Sequence, residues 1–245
     1  MRNEALVLSF VHKIRSHHVR IGGKKLYAWI KSDVQEAGIK MGRDKFFDLL
    51  TKHSLLVKRR RKYVSTTDSY HRFRVYKNLL KDKQLSKAHQ GWVSDITYIR
   101  TGKDFVYLFL ITDAFSRKIV GWNLSGSLKI SGAISALKMA LRQCPQTREV
   151  IHHSDRGIQY CSKDYVKLLK KAKMKISMTE KNHCYENATA ERLNGILKQE
   201  YGLEETFASE NQALKAVKEA VWFYNMERPH WSLGLATPQQ IHTAA

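Results

Sequence analysis

Acidic residues are scarce in this sequence. Only 22 Asp and Glu stand against 43 Lys and Arg in 245 residues, which leaves a net charge of +21. A chain so short of acid meets a polyanion, either nucleic acid or an anionic membrane surface. Long apolar runs are also missing: none approaches the ~18 residues of a membrane span. The apolar patch in "MRNEALVLSFVHKIRSHH" carries no cleavage-site pattern, so no signal peptide is expected. Cysteine is sparse as well. Cys144, Cys161 and Cys184 are odd in number, widely spaced and form no C-x-x-C. That argues for a reduced, cytoplasmic setting and against a structural zinc. With a membrane disfavoured, nucleic acid is the better polyanion, which places the protein beside the nucleoid.

A hydrophobic content of 43% is enough for a genuine core. The positive charge is uneven: residues 1–90 carry 22 basic and 7 acidic side chains, residues 91–245 carry 21 and 15. A binding module ahead of a chemical domain is the expected arrangement. In "KKLYAWIKSDVQEAG", Leu26, Ile30 and Val34 recur at helical spacing, and in "GRDKFFDLLTKHSL" Phe46, Leu49 and Leu50 do the same. Two short helices joined through Gly38 form a helix-turn-helix candidate, with Arg43 and Lys45 at the start of the second helix, where such folds face DNA. An ordinary helical hairpin fits the pattern equally well. The run "KRRRK", with Arg59, Arg60 and Arg61 at its centre, cannot pack against itself and suits phosphate contact. The expected division is a helical DNA-binding region at 1–62, a basic linker at 63–90, and a catalytic core with a helical tail at 91–245.

From Trp92 the texture changes. "WVSDITYI", "FVYLFLITDA" and "KIVGWNLS" are rich in β-branched and aromatic residues and predict a three-strand antiparallel meander. The segment "SGAISALKMALRQC" predicts a helix with Ile134, Leu137 and Leu141 on one side. "EVIHHS" predicts a strand, "SKDYVKLLKKAKM" a helix with Val166 and Leu169 inward, and "KISMT" a last strand. Helices are expected over 187–200 and through "NQALKAVKEAVWFYNMERPH". The class is α/β, a mixed sheet with helices on its faces.

Three acids invite chemistry. Asp95 lies inside the first strand, where a carboxylate among apolar neighbours is costly unless paired or metal-bound. Asp155 ends the fourth strand, and Glu191 lies on a helix. If the first and fourth strands are neighbours, the three converge. Oxygen ligands of this kind suit Mg²⁺ or Mn²⁺, and two such ions serve phosphoryl transfer. Each acid also has a plainer reading as a turn or cap residue. Pattern alone does not prefer Asp95 over Asp113, another strand-end aspartate that could cap the turn at Ser116.

"VSDITYI", "HSDRGIQY" and "CYENATAERLNGILKQE" resemble the three acidic motifs of the DDE transposases and integrases. Between Asp155 and Glu191 lie 35 residues, and Lys198 follows Glu191 by seven, two helical turns along one face. The ending "FYNMERPHWSLGLATPQQ" is similar to the tail of the IS-three insertion-sequence family. The resemblance implies an RNase H-like core that binds two Mg²⁺ ions, or Mn²⁺ in their place, through Asp95, Asp155 and Glu191. It further implies cleavage and joining of DNA at terminal inverted repeats and in target DNA, by copy-out, paste-in transposition. The partners implied are further copies of the chain on paired ends and the first-frame protein of the element. The resemblance also implies that the chain corresponds to the second-frame product, and the upstream helix-turn-helix and coiled coil of the fusion are then expected to be absent from it. Glu186 stands where the family usually has aspartate. Two other classes remain to be separated from this one, an RNase H-like nuclease that does not join strands and a non-enzymatic DNA-binding regulator.

His152 and His153 point to opposite faces of a strand, so both cannot join Asp155 around one ion. His153 is expected beside the site or on DNA. Asn187, Asn194 and Lys198 are expected along the DNA path, although Asn187 equally suits a helix cap. Asp113, Arg117, Arg228 and His230 are read as structural.

Overall fold

The computed structural model describes residues 2–57, 73–102, 104–144, 146–180 and 188–244. The chain divides into two compact units, Met1–Val64 with Gln199–Gly202, and Ser65–Lys198 with Leu203–Ala245.

The first unit is helical: α1 (Arg2–Arg15), α2 (Gly23–Glu36) and α3 (Arg43–Lys52). Val7 and Val11 of α1 meet Leu26, Ile30 and Val34 of α2 and Phe46, Leu49 and Leu50 of α3 in one core. All six positions expected to point inward on α2 and α3 do so. Gly38, at φ +72°, ends the α2 turn in the left-handed region that glycine enters without penalty.

The second unit is built on a mixed sheet. Strands β1 (Gly91–Thr101), β2 (Asp104–Asp113) and β3 (Ile119–Ser125) form the expected antiparallel meander. On the other side of β1 lie β4 (Ile151–Ser154) and then β5 (Lys175–Met178), both parallel, giving the order β3-β2-β1-β4-β5. A two-residue strand, β6 (Thr206–Phe207), also pairs with β1. Helix α4 (Ile130–Arg142) packs on β2 and β3, and α6 (Lys163–Lys171) packs on β5 after the short α5 (Ile158–Cys161). Trp92, Phe109, Ile111 and Val120 of the sheet close a core with Ala133, Ala136, Leu137 and Ala140 of α4 and with Tyr165 and Leu169 of α6.

Further along come α7 (Ala188–Glu200), α8 (Glu210–Met226) and α9 (Pro238–Thr243). Helix α8 stops before the expected "ERPH": Pro229 lacks an N–H, and a residue preceding proline is disfavoured in the helical region. At 77–79, inside the expected linker, the chain runs beside β5, where Lys77 O accepts from Met178 N and Leu79 N donates to Ser177 Oγ. No helix among the described residues is long and apolar enough to cross a membrane.

Candidate active site

The parallel register of β1 and β4 places the first two acids. Gly91 pairs with Ile151 and Ser94 with Ser154, so partners differ by 60 residues. One further step sets Asp155 level with Asp95, and in a parallel pair side chains at one level share a face. The strand adjacency on which convergence depended is therefore present. Asp155 Oδ1 accepts from Gly157 N at 2.9 Å, which fixes the carboxylate as the chain leaves the sheet.

Glu191 lies in the first turn of α7, and Asn194 follows three residues later on the same helical face. The Asn194 Nδ2 donates to Asp95 Oδ2 at 2.7 Å, while Asp95 Oδ1 accepts from Ile96 N at 2.8 Å. Expected along the DNA path, Asn194 thus has its amide on a carboxylate. The signal was its three-residue offset from Glu191, but sequence could not say which group it would meet. Lys198 lies half-buried in the last turn of the same helix.

Charge crowds here. Asp95 retains some accessible surface, yet its carboxyl is pushed from 3.8 up to about 7, first by burial and then by the negative charge of Asp155, with Glu191 adding to it. The bonds from Ile96 N and Asn194 pull the other way. Burial also raises Glu191. Among the described residues no group of three or more His, Cys, Asp or Glu side chains is drawn together closely enough to hold a metal ion. The donors are nonetheless all carboxylate oxygens, the set that a hard divalent cation takes, and their mutual repulsion is what such a cation relieves.

Asp113, the rival of Asp95, is wholly buried and committed. Its Oδ1 accepts from Phe115 N, Ser116 N and Ser116 Oγ, and its Oδ2 accepts from His89 N. It caps a turn, as its plainer reading held. Arg228 is likewise buried, with Nη1 2.9 Å from His230 Nε2 and its guanidinium over the Tyr224 ring.

The two histidines separate as strand geometry requires. His152 Nε2 lies 2.8 Å from Ser94 Oγ and 2.9 Å from Tyr165 Oη, and burial holds the ring down at about 3, so it is neutral. The expectation that His153 touches DNA needs correction. It has no accessible surface, and its Nδ1 shares a hydrogen bond of 2.8 Å with Ser177 Oγ, so it braces β4 against β5. The buried Ser94–His152–Tyr165 group was missed, because polar-tipped residues do not register in an apolar periodicity.

In the helical unit, Arg43 and Lys45 are exposed at the start of α3, with Arg43 Nε on Asp44 at 2.9 Å. They border a cavity of about 600 Å³ between α2 and α3, together with Lys31 and Lys40. Arg59, Arg60, Arg61 and Asn187, with Cys184 and Glu186, lie outside the described residues.

Comparison with known proteins agrees with this architecture. The integrase core domain family matches residues 86–184, and a second family of that description matches 172–238. The InsF transposase of insertion sequence IS3A from Escherichia coli K12 is 37% identical over 194 residues, 78% of this chain and 67% of that protein. A 31 kDa protein of insertion element IS600 from Shigella sonnei is 34% identical over 228 residues, 92% of this chain and 84% of its own. Among solved structures, the HTLV-2 integrase catalytic core in complex with magnesium superposes with a TM-score of 0.51 at 20% identity, covering 64% of this chain and 97% of that one. Integrase in the simian T-cell lymphotropic virus intasome gives 0.53 at 18%, covering 90% and 74%. These two likenesses establish an RNase H-like fold. By its sequence relatives and its core, the chain belongs to the IS3 family of insertion-sequence transposases, polynucleotidyl transferases built on an integrase core.

Proposed function

We propose that Asp95, Asp155 and Glu191 are the catalytic carboxylates with which this transposase cuts and joins DNA at the ends of its element. The observation that carries the reading is the approach of acids from the end of β4 and from α7 to Asp95 on β1, whose carboxyl is lifted to about 7 by burial and then by the charge of Asp155 and Glu191. Asp113, by contrast, accepts three bonds on one oxygen from its own turn and a fourth on the other from His89 N.

The trio would hold two Mg²⁺ ions, or Mn²⁺ in their place. Bound there, the ions supply a Lewis acid for the scissile phosphate and a more acidic attacking water. The chain's own part is to hold the carboxylates. Ile96 N and Asn194 orient Asp95 and favour its ionised form against the upward pull of burial, and Gly157 N orients Asp155. In the first step, water attacks a phosphodiester at the element end. A P–O bond to water forms, the bond to the 3′ oxygen breaks, and that oxygen leaves with a proton as a 3′-hydroxyl. In the second step, the 3′-hydroxyl attacks another phosphodiester, so one P–O bond again replaces another without a covalent protein intermediate. Lys198 and Asn187 would border the DNA, and Asn194 would touch both DNA and Asp95. The helical unit, with Arg43 and Lys45 at the head of α3 and the run from Arg59 to Arg61, would grip the terminal inverted repeats. Paired ends call for at least two copies of the chain, and the first-frame protein is a further partner.

The test is cleavage and joining of a labelled element-end duplex with Mg²⁺ or Mn²⁺, beside Asp155→Asn. The variant should lose both activities. Equal products from the two proteins would overturn the assignment, and hydrolysis without joining would make the chain a nuclease.

A further inference from the structure

A cavity of about 460 Å³ is walled in part by the strand that carries Asp95 and the helix that carries Glu191, and the mechanism above leaves it unused. Its wall includes Val93, two residues before Asp95 on the same strand face, and Ala188 and Thr189, the first two residues of the helix that carries Glu191. Phe115 and the leucines Leu80, Leu85 and Leu233 give the lining an apolar part, beside the polar Thr189 and Ser232. Lys83 and Arg117 supply two cations, and among the described residues no carboxylate lines the cavity.

Arg117 is held there against its own backbone preference. Its φ of +66° lies in the left-handed region, where a side chain is disfavoured and glycine is at ease. Three bonds fix it: its N donates to Asp113 O, its carbonyl accepts from Tyr224 Oη at 3.0 Å, and its Nη1 donates to Thr189 Oγ1 at 3.2 Å. Strain retained at a pocket wall points to a use for the side chain. Walls part apolar and part polar, one aromatic ring and two cations describe a host for something flat at one end and anionic at the other. The volume falls within the roughly 300–1,000 Å³ of small-ligand sites, room for one nucleotide rather than a stretch of duplex.

We infer that this cavity receives a single unstacked nucleotide flanking the scissile phosphate, with its base against Phe115 and its phosphate on Arg117 and Lys83. The inference rests on the catalytic reading of Asp95, Asp155 and Glu191. Unstacking is least costly next to a DNA end, and an aromatic face compensates a base for its lost neighbour.

The experiment uses Asp155→Asn, which binds without cutting, and element-end duplexes carrying 2-aminopurine at one position at a time. Emission should rise several-fold on binding at one position beside the cleavage point. Adding Arg117→Gly or Lys83→Gln should abolish that rise. Because glycine suits φ +66°, Arg117→Gly should keep or raise the melting temperature, which a merely structural arginine would not allow. With Asp155 intact, the same substitutions should slow cleavage about tenfold. Silence at every position, or an unchanged response in Arg117→Gly, overturns the inference. If the wild type cuts the same duplex while 2-aminopurine stays silent, only this inference fails. If the wild type does not cut, the catalytic reading fails with it.

Discussion

Gly157 stands where an added Cβ would come within 2.9 Å of Asp155 Oδ1. Its backbone, at φ −59° and ψ 142°, is one that alanine adopts freely, so the glycine is required by space and not by conformation. Gly157→Ala should therefore fold as well as the parent, or better by about 0.5 kcal/mol, because it restricts the unfolded chain. The Asp155 carboxylate must move aside, and a displaced catalytic group costs on the order of a hundredfold in rate. Cleavage rate measured beside melting temperature checks both halves, and a variant as active as the parent would place Asp155 outside the chemistry. His152 gives a prediction in pH. Its ring is held at about 3 in the folded protein, chiefly by burial and then by His153, against an ordinary 6.5. Between those values the unfolded chain takes up a proton that the folded chain refuses. This contribution is complete above pH 6.5 and is lost as pH falls toward 3. Lowering the pH from 6.5 to 4.5 should cost about 2–3 kcal/mol through this group. His152→Gln should be less stable at pH 7, having lost bonds to Ser94 and Tyr165, but flatter with pH. Urea midpoints at pH 7 and 4.5 decide it, and equal pH slopes for both proteins would sink the account.

Elements were more legible than contacts. Alternating β-branched runs announced β1 to β3, and helical spacing announced α2 and α3 with their inward faces. In α4, however, only Leu137 of the three expected residues is buried, beside Ala133, Ala136 and Ala140. In α6 the inward pair is Tyr165 with Leu169, whereas Val166 is only half-buried. A tyrosine counts as half polar in a periodicity, and its burial depends on His152, which lies 13 positions away and across the core. The helix tail was overextended through "ERPH", although Pro229 ends the helix there and Arg228 is enclosed by Tyr224 and His230. Glycines in β3 and α4 also gave no signal of their role. A Cβ on Gly121 would stand 2.3 Å from Ala136 O, and one on Gly132 would stand 2.3 Å from the Phe109 ring. Backbone oxygen cannot yield as a flexible side chain does, so Gly121→Ala must push α4 off the sheet. A loss of about 2–3 kcal/mol is expected, read as a lower urea midpoint with an unchanged slope. A midpoint equal to the parent's would mean that α4 does not rest on β3 as closely as this.

At the scale of the molecule, the site is a meeting of three elements that the sequence holds far apart. The 60 residues between Asp95 and Asp155 are the strand register itself, and α7 brings Glu191 and Asn194 to the same place. Sequence pattern could not choose Asp95 over Asp113, since both are acids in strands. The resemblance chose; in the structure Asp113 caps its own turn and also accepts from His89 N, while Asp95 is raised by the charge of Asp155 and Glu191 as well as by burial. Bringing like charges together opposes folding, so the proposed cation site should reveal itself in stability as well as in rate. Without divalent metal, Asp95→Asn should be more stable than the parent at pH 8, by about 1–2 kcal/mol once solvent screening at the half-open site is allowed for. Mg²⁺ should then raise the melting temperature of the parent, since a ligand that binds only the folded state stabilises it in proportion to the logarithm of its concentration. Asp95→Asn should gain far less, and the two melting temperatures should converge as Mg²⁺ increases. Thermal melts across a Mg²⁺ series, with Asp113→Asn as a control that loses stability at every concentration, carry the test. Parallel rises in parent and Asp95→Asn would show that the ion binds elsewhere and that the carboxylates converge for some other reason.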